Sequence, residues 1–274
     1  MKQQNKTGCL ARSWCLLVLV LAAFGMGPVQ AAIKSQIIEY RQGDTLLEGY
    51  LSYDDSFSGK RPGVLVIHTW TGVGDYIKGR ADMLARMGFV AFAPDIYGKG
   101  VRPRPPKDAG AEMAKYTSNR PLYRARALSG LEVLRTHALV DTARLTAVGY
   151  CFGGTGVLEL ARTGADLLGV VSFHGGPLSS PTPDDGKKIK ARVLVLHGAD
   201  DPNVPPAEVA AFEKEMREAK VDWQLVAYGN AVHSFTDPGA GNDNSRGAAY
   251  NEKADKRSWI AMQAFFNELG LLPR

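Results

Sequence analysis

The chain has 274 residues, of which 45% are hydrophobic and 22% charged, and a formal net charge of +5. That balance supports one sizeable buried core and excludes a chain that is disordered throughout. Lys2, Lys6 and Arg12 hold three of the positive charges, so 32–274 keeps only +2, and no long basic stripe with interleaved aromatics argues for nucleic acid or an anionic membrane.

The N-terminus reads as an export signal. A basic stretch without acids precedes the apolar run 14–26, and Val29-Gln30-Ala31 places small residues where a signal peptidase cuts. Cleavage is expected after Ala31, leaving 32–274 as a single domain in a periplasmic or secreted location. The apolar run is too short to span a bilayer comfortably. Cys9 and Cys15 would leave with the signal, so Cys151 becomes the one thiol of the mature chain. In an oxidising compartment a lone thiol is easier to explain by use than by packing.

Along the mature chain, 37–40 and 46–52 alternate around Gln42-Gly43-Asp44 and predict an antiparallel hairpin. Residues 54–62 form a polar loop. The run 64–67 is continuously apolar, as a strand buried on both faces should be. Helical spacing over 76–87 stops at Gly88, and 89–93 is another buried strand. Residues 98–110 are rich in Gly and Pro and predict a long loop, in which Arg102, Arg104 and Lys107 make a solvated basic cluster. Helices follow over 111–116 and 122–135.

Strand 144–149 then enters Gly149-Tyr150-Cys151-Phe152-Gly153-Gly154, with a helix over 155–162. Gly-x-Cys-x-Gly between a strand and a helix has the form of a nucleophile elbow in which cysteine replaces serine. The N–H groups of a helix beginning just after Cys151 would favour thiolate over thiol and could hold a developing oxyanion. Further strands are expected at 169–173, 193–197 and 223–228, a loop at 184–188, and helices at 208–219 and 253–269. Strands alternating with helices predict an α/β fold with a mostly parallel sheet and helices on both faces.

In such a sheet the reactive groups collect at the carboxyl ends of the strands. Asp201 follows one strand and His233 follows the last, so nucleophile, acid and histidine occur in α/β-hydrolase order. Asp201 is preferred over Asp200, which is expected to cap the turn. Both choices have bland readings, a turn residue for Asp201 and a surface histidine for His233. His68, His174 and His197 also end strands and are assigned core or supporting hydrogen bonds.

The elbow 149–154, Asp201 to Pro205, His233-Ser234-Phe235 and Pro94-Asp95-Ile96-Tyr97-Gly98 together resemble the dienelactone hydrolase family over nearly the whole mature chain. The resemblance implies an α/β-hydrolase fold and cleavage of an ester or lactone without metal or organic cofactor. It also implies an oxyanion hole made by the backbone N–H groups of Phe152 and Trp70. Two positions depart from the family. Thr69 stands where the family carries a glutamate that keeps the resting thiol protonated, and Lys99 and Asp237 stand where two arginines hold a substrate carboxylate. Thr69, Lys99 and Asp237 are therefore expected to border the substrate, with dienelactone itself disfavoured. The expected partner is a small-molecule ester or lactone. A monomer is favoured. The alternative is a thiol redox or sensing protein on the same scaffold, although 32–274 holds no second cysteine to resolve an oxidised Cys151. A binding module without catalysis would have no use for the nucleophile.

Overall fold

A computed structural model describes Met1 and residues 32–105, 107–182 and 184–272. The expected export signal and its cleavage point lie outside the described residues.

Strands β1 (Ile33–Gln42) and β2 (Thr45–Asp54) form the expected antiparallel hairpin. Strand β3 (Arg61–Ile67) is buried at all seven positions, so its apolar run faces a core on both sides of the sheet. Helix α1 (Asp75–Arg86) and strand β4 (Val90–Ala93) complete the first crossover. Next come helices α2 (Lys107–Thr117) and α3 (Arg120–Thr136), strand β5 (Val140–Tyr150) and helix α4 (Phe152–Ala161). The remainder is β6 (Gly169–Phe173), β7 (Arg192–Gly198), α5 (Pro206–Ala219), β8 (Trp223–Tyr228) and α6 (Glu252–Glu268).

The eight strands lie in the order β1-β2-β4-β3-β5-β6-β7-β8. Pairings from β4 through β8 are parallel, and only those made by β2 are antiparallel. Alternation along β3 sends Leu65 and Ile67 into a core layer under α3, α4 and α5, and Val64 and Val66 into a second layer under α1 and α6. Each fully buried aliphatic side chain there contributes about 1.5–3 kcal/mol.

Among the boundaries that differ from the sequence reading, three bear on how the sheet and the elbow are built. Strand β3 starts at Arg61 rather than 64, because the buried Arg61 guanidinium reaches back to the Asp54 carbonyl and draws 61–63 into the sheet. The Gly- and Pro-rich loop ends at Lys107 instead of 110, where α2 begins. Helix α4 begins at Phe152, not Thr155, because its first turn is built on glycines that carry no helical signature. A Cβ on Gly153 would stand 2.1 Å from the Ile67 carbonyl oxygen, and one on Gly149 would stand 1.9 Å from that of Gly153. Glycine is required there by close backbone approach.

Candidate active site

Cys151 occupies the turn between β5 and α4 with φ 57° and ψ −117°, a conformation that L residues rarely adopt. Crowding by Gly149 and Gly153 holds it there and points its side chain off the end of the sheet. Cys151 is 8% exposed. Asp201 lies in the turn after β7 and His233 in the loop after β8, so three neighbouring strand ends converge on one rim. His233 Nε2 is 3.0 Å from Cys151 Sγ, and His233 Nδ1 is 2.8 Å from Asp201 Oδ2.

Asp201 is buried, at 4% exposure, and its other oxygen accepts the Asn203 N–H at 2.8 Å. It therefore caps its own turn while holding the imidazole. Asp200, expected to be the cap, is exposed and makes no side-chain hydrogen bond among the described residues.

Burial pushes the Cys151 thiol up, but the charge and hydrogen bond of His233, with the N–H groups of Phe152 and Trp70, outweigh it and hold the thiol below its ordinary value. Burial likewise opposes the imidazolium of His233, yet Cys151 and Asp201 raise it to about 10. Both directions describe one thiolate–imidazolium pair in which Nε2–H donates to sulfur and Nδ1–H to the carboxylate. The two residues whose N–H groups reach the sulfur are themselves tied down. The Tyr97 hydroxyl donates to the Trp70 carbonyl at 3.0 Å, and the Tyr123 hydroxyl donates to the Phe152 carbonyl at 2.7 Å.

The dienelactone hydrolase family model matches residues 47–270. The chain belongs to the dienelactone hydrolase family.

As a member, it is a hydrolase of the ester- and lactone-cleaving class. A solved dienelactone hydrolase-like promiscuous phosphotriesterase from metagenomic libraries is 42% identical, covers 87% of this chain and 99% of its own, and superposes with a TM-score of 0.83. An uncharacterized protein of Caenorhabditis elegans, K02A2.1, is 36% identical over 51% of this chain and 89% of its own length. A probable 2-oxo-3-(5-oxofuran-2-ylidene)propanoate lactonase of Bradyrhizobium sp. is 29% identical over 65% of this chain and 75% of its own.

In this hydrolase Cys151 and His233 open into a cavity of about 280 Å³ walled by Trp70, Met113, Phe152 and Asn203. Trp70, Ser234 and Ala248 also border a second, outer hollow of about 570 Å³. Thr69 and Asp237 line that outer hollow, together with Arg246. Thr69 Oγ1 pairs with Thr71 Oγ1 at 3.0 Å.

Lys99 departs from expectation. It lines neither hollow, is 43% exposed and pairs with Glu39 on the hairpin. Its backbone N–H is bonded to the Leu46 carbonyl at 2.9 Å, which turns the side chain toward β1.

His68 and His174 make the supporting bonds expected of them. His68 Nε2 accepts the Ile96 N–H at 3.2 Å, and burial lowers its pKa to about 4. His174 accepts from the Cys151 backbone. His197 differs, since its buried Nδ1 has no protein partner among the described residues. Met113, Asn203 and Arg246 escaped the sequence reading. Met113 and Arg246 sit in segments with no motif of their own, Asn203 lies inside the Asp201 to Pro205 motif without being singled out, and only folding brings them to the walls of the two hollows.

Proposed function

We propose that this hydrolase cleaves a carboxylic ester or lactone by covalent catalysis, with Cys151 as nucleophile, His233 as proton carrier, Asp201 as its orienting acid, and the Phe152 and Trp70 N–H groups as oxyanion hole. The observation that carries the reading is the unbroken contact from sulfur through imidazole to carboxylate, at 3.0 and 2.8 Å.

Cys151 thiolate attacks the carbonyl carbon, and the displaced electron pair moves onto the carbonyl oxygen facing the two N–H groups. Collapse of that intermediate breaks the carbon–oxygen bond to the alcohol, whose oxygen takes the Nε2 proton of His233 and leaves a thioester. Water then gives a proton to His233 as it attacks the thioester. The second tetrahedral intermediate expels the thiolate and frees the acid. Asp201 keeps the imidazole in one tautomer throughout.

Asp237 on the wall of the outer hollow disfavours an anionic substrate by about 1 kcal/mol or more, and Arg246 on the same wall offsets part of that field. The reading is therefore an uncharged ester or lactone before an anionic one. A neutral phosphotriester is a second candidate, favoured by the activity in the name of the 42%-identical structure.

The test is hydrolysis of p-nitrophenyl acetate by the parent and by Cys151→Ala, followed by a series of anionic, neutral and cationic esters with parent and Asp237→Asn. Turnover should vanish in Cys151→Ala, and Asp237→Asn should gain on anionic esters alone. Equal rates for parent and Cys151→Ala would remove the covalent mechanism.

A further inference from the structure

Beneath the reactive trio lies a chain of buried polar groups that the mechanism above leaves unused. The Cys151 backbone N–H is shared between the Phe173 carbonyl at 3.0 Å and His174 Nδ1 at 3.1 Å. His174 is 1% exposed with φ 38°. Its Nε2 lies 2.7 Å from Thr236 Oγ1, which in turn lies 2.6 Å from the Tyr76 hydroxyl. The carbonyl of Thr236 accepts Arg80 Nη2 at 2.5 Å, and the same nitrogen bonds Asp255 at 2.7 Å.

The proton order follows from the acceptors. Because Nδ1 accepts an amide N–H, it carries no proton, so Nε2–H donates to Thr236 Oγ1, which shares a further hydrogen bond with the Tyr76 hydroxyl. A neutral ring is also what the surroundings select. Burial, then His233 and Arg80, hold His174 well below the ordinary imidazole value. The groups facing it are His233, Cys151, Thr236, Arg80 on α1 and the Tyr150 and Phe235 rings. Protonating Nδ1 would set it against the Cys151 N–H and place a second cation 5.4 Å from the His233 ring.

Thr236 is three residues beyond His233 on the same loop, and His174 touches the nucleophile's own backbone. We propose that His174 and Thr236 are positioning residues that tie the His233 loop to the Cys151 elbow and so set the distance between imidazole and sulfur. The inference rests on the Cys151–His233 reading, because neither residue reaches the cleft or touches a reacting atom. Catalysis is sensitive to such placement, and a misplacement of about 1 Å can cost about 100-fold.

The test uses the full chain with Thr236→Val, which keeps the side-chain shape and removes the hydroxyl, and Thr236→Ser, which restores it. Thermal unfolding is followed alongside. Iodoacetamide labelling is read on the peptide carrying Cys151. Thr236→Val should lower kcat about tenfold or more with KM within about twofold, and should move the pH midpoint of Cys151 alkylation up toward the free-thiol range. Thr236→Ser should recover both.

A Thr236→Val protein with parental kcat and alkylation profile overturns the proposal, whatever its melting temperature, and so does a Thr236→Ser protein as impaired as Thr236→Val. If Thr236→Val does not fold, Tyr76→Phe removes the hydrogen-bond partner of the Thr236 hydroxyl at a distance from Cys151 and His233. A raised alkylation midpoint there supports the proposal and an unchanged one overturns it. Failure of the underlying reading would look different, as undiminished turnover in Cys151→Ala.

Discussion

At Cys151 two opposing effects meet, burial that favours the neutral thiol and an imidazolium with two N–H groups that favours the anion, and the second wins. The sign of the pH dependence follows. A lowered thiol value means that the thiolate persists below the free-thiol value of about 8.5 and is lost only as pH falls through the depressed one. Alkylation of Cys151 at about pH 6 should therefore run far faster than that of a free thiol, and a profile rising only near 8.5 would count against the ion pair. Thr69 is consistent with this, since a hydroxyl paired with Thr71 offers no carboxylate to return the proton to sulfur. Asp201 should matter through tautomer rather than charge alone. Asp201→Asn should lower kcat by about 10³–10⁴ while leaving the fold intact, measured as turnover beside a circular-dichroism melt. The convergence of Cys151, Asp201 and His233 on one rim was legible in the sequence because each follows an apolar strand and carries its own short motif. The direction of Lys99 was not legible there, because matching a position to a family's pattern says nothing about which way a turn directs its side chain.

The elbow between β5 and α4 is the element on which the site depends. Its glycines are there because backbone from β3 and α4 passes within van der Waals contact of their α-carbons. In Gly153→Ala the new methyl meets the Ile67 and His68 carbonyls at 2.1 and 2.7 Å, and backbone has to shift to admit it. The substitution should cost about 1–3 kcal/mol by denaturant midpoint and also lower turnover, since the displaced elbow carries Cys151 and the Phe152 N–H with it. A parental midpoint with parental activity would show that the elbow is slacker than these contacts imply. The same glycines hid the first turn of α4 from the sequence, where they read as turn residues. The loop after β8 is the complementary element. It brings His233, Ser234 and Asp237 to the walls of the hollows and buries Phe235 and Thr236 beneath them, and a hydrogen bond from Asn251 N–H to the Phe235 carbonyl at 3.0 Å pins it from the side of α6.

For the molecule as a whole, the expected export signal gives a direct measurement. Full-length chain expressed in a secretion-competent bacterium should yield a product beginning at Ala32 by intact mass, and a product that retains Lys2 outside the cytoplasm would contradict cleavage after Ala31. The sequence by itself determined the α/β alternation, the parallel sheet and the placing of Cys151, Asp201 and His233 just past strand ends. Those depend on local patterns, namely apolar runs of strand length, helical spacing and residues placed just past strand ends. Only the tertiary structure decided the two hollows, the contribution of Met113, Asn203 and Arg246 to their walls, the tyrosine bonds to the Trp70 and Phe152 carbonyls and the His174–Thr236 link. Each of these joins segments tens of residues apart, and such contacts are created by the register and crossover of the sheet, which no window along the chain contains.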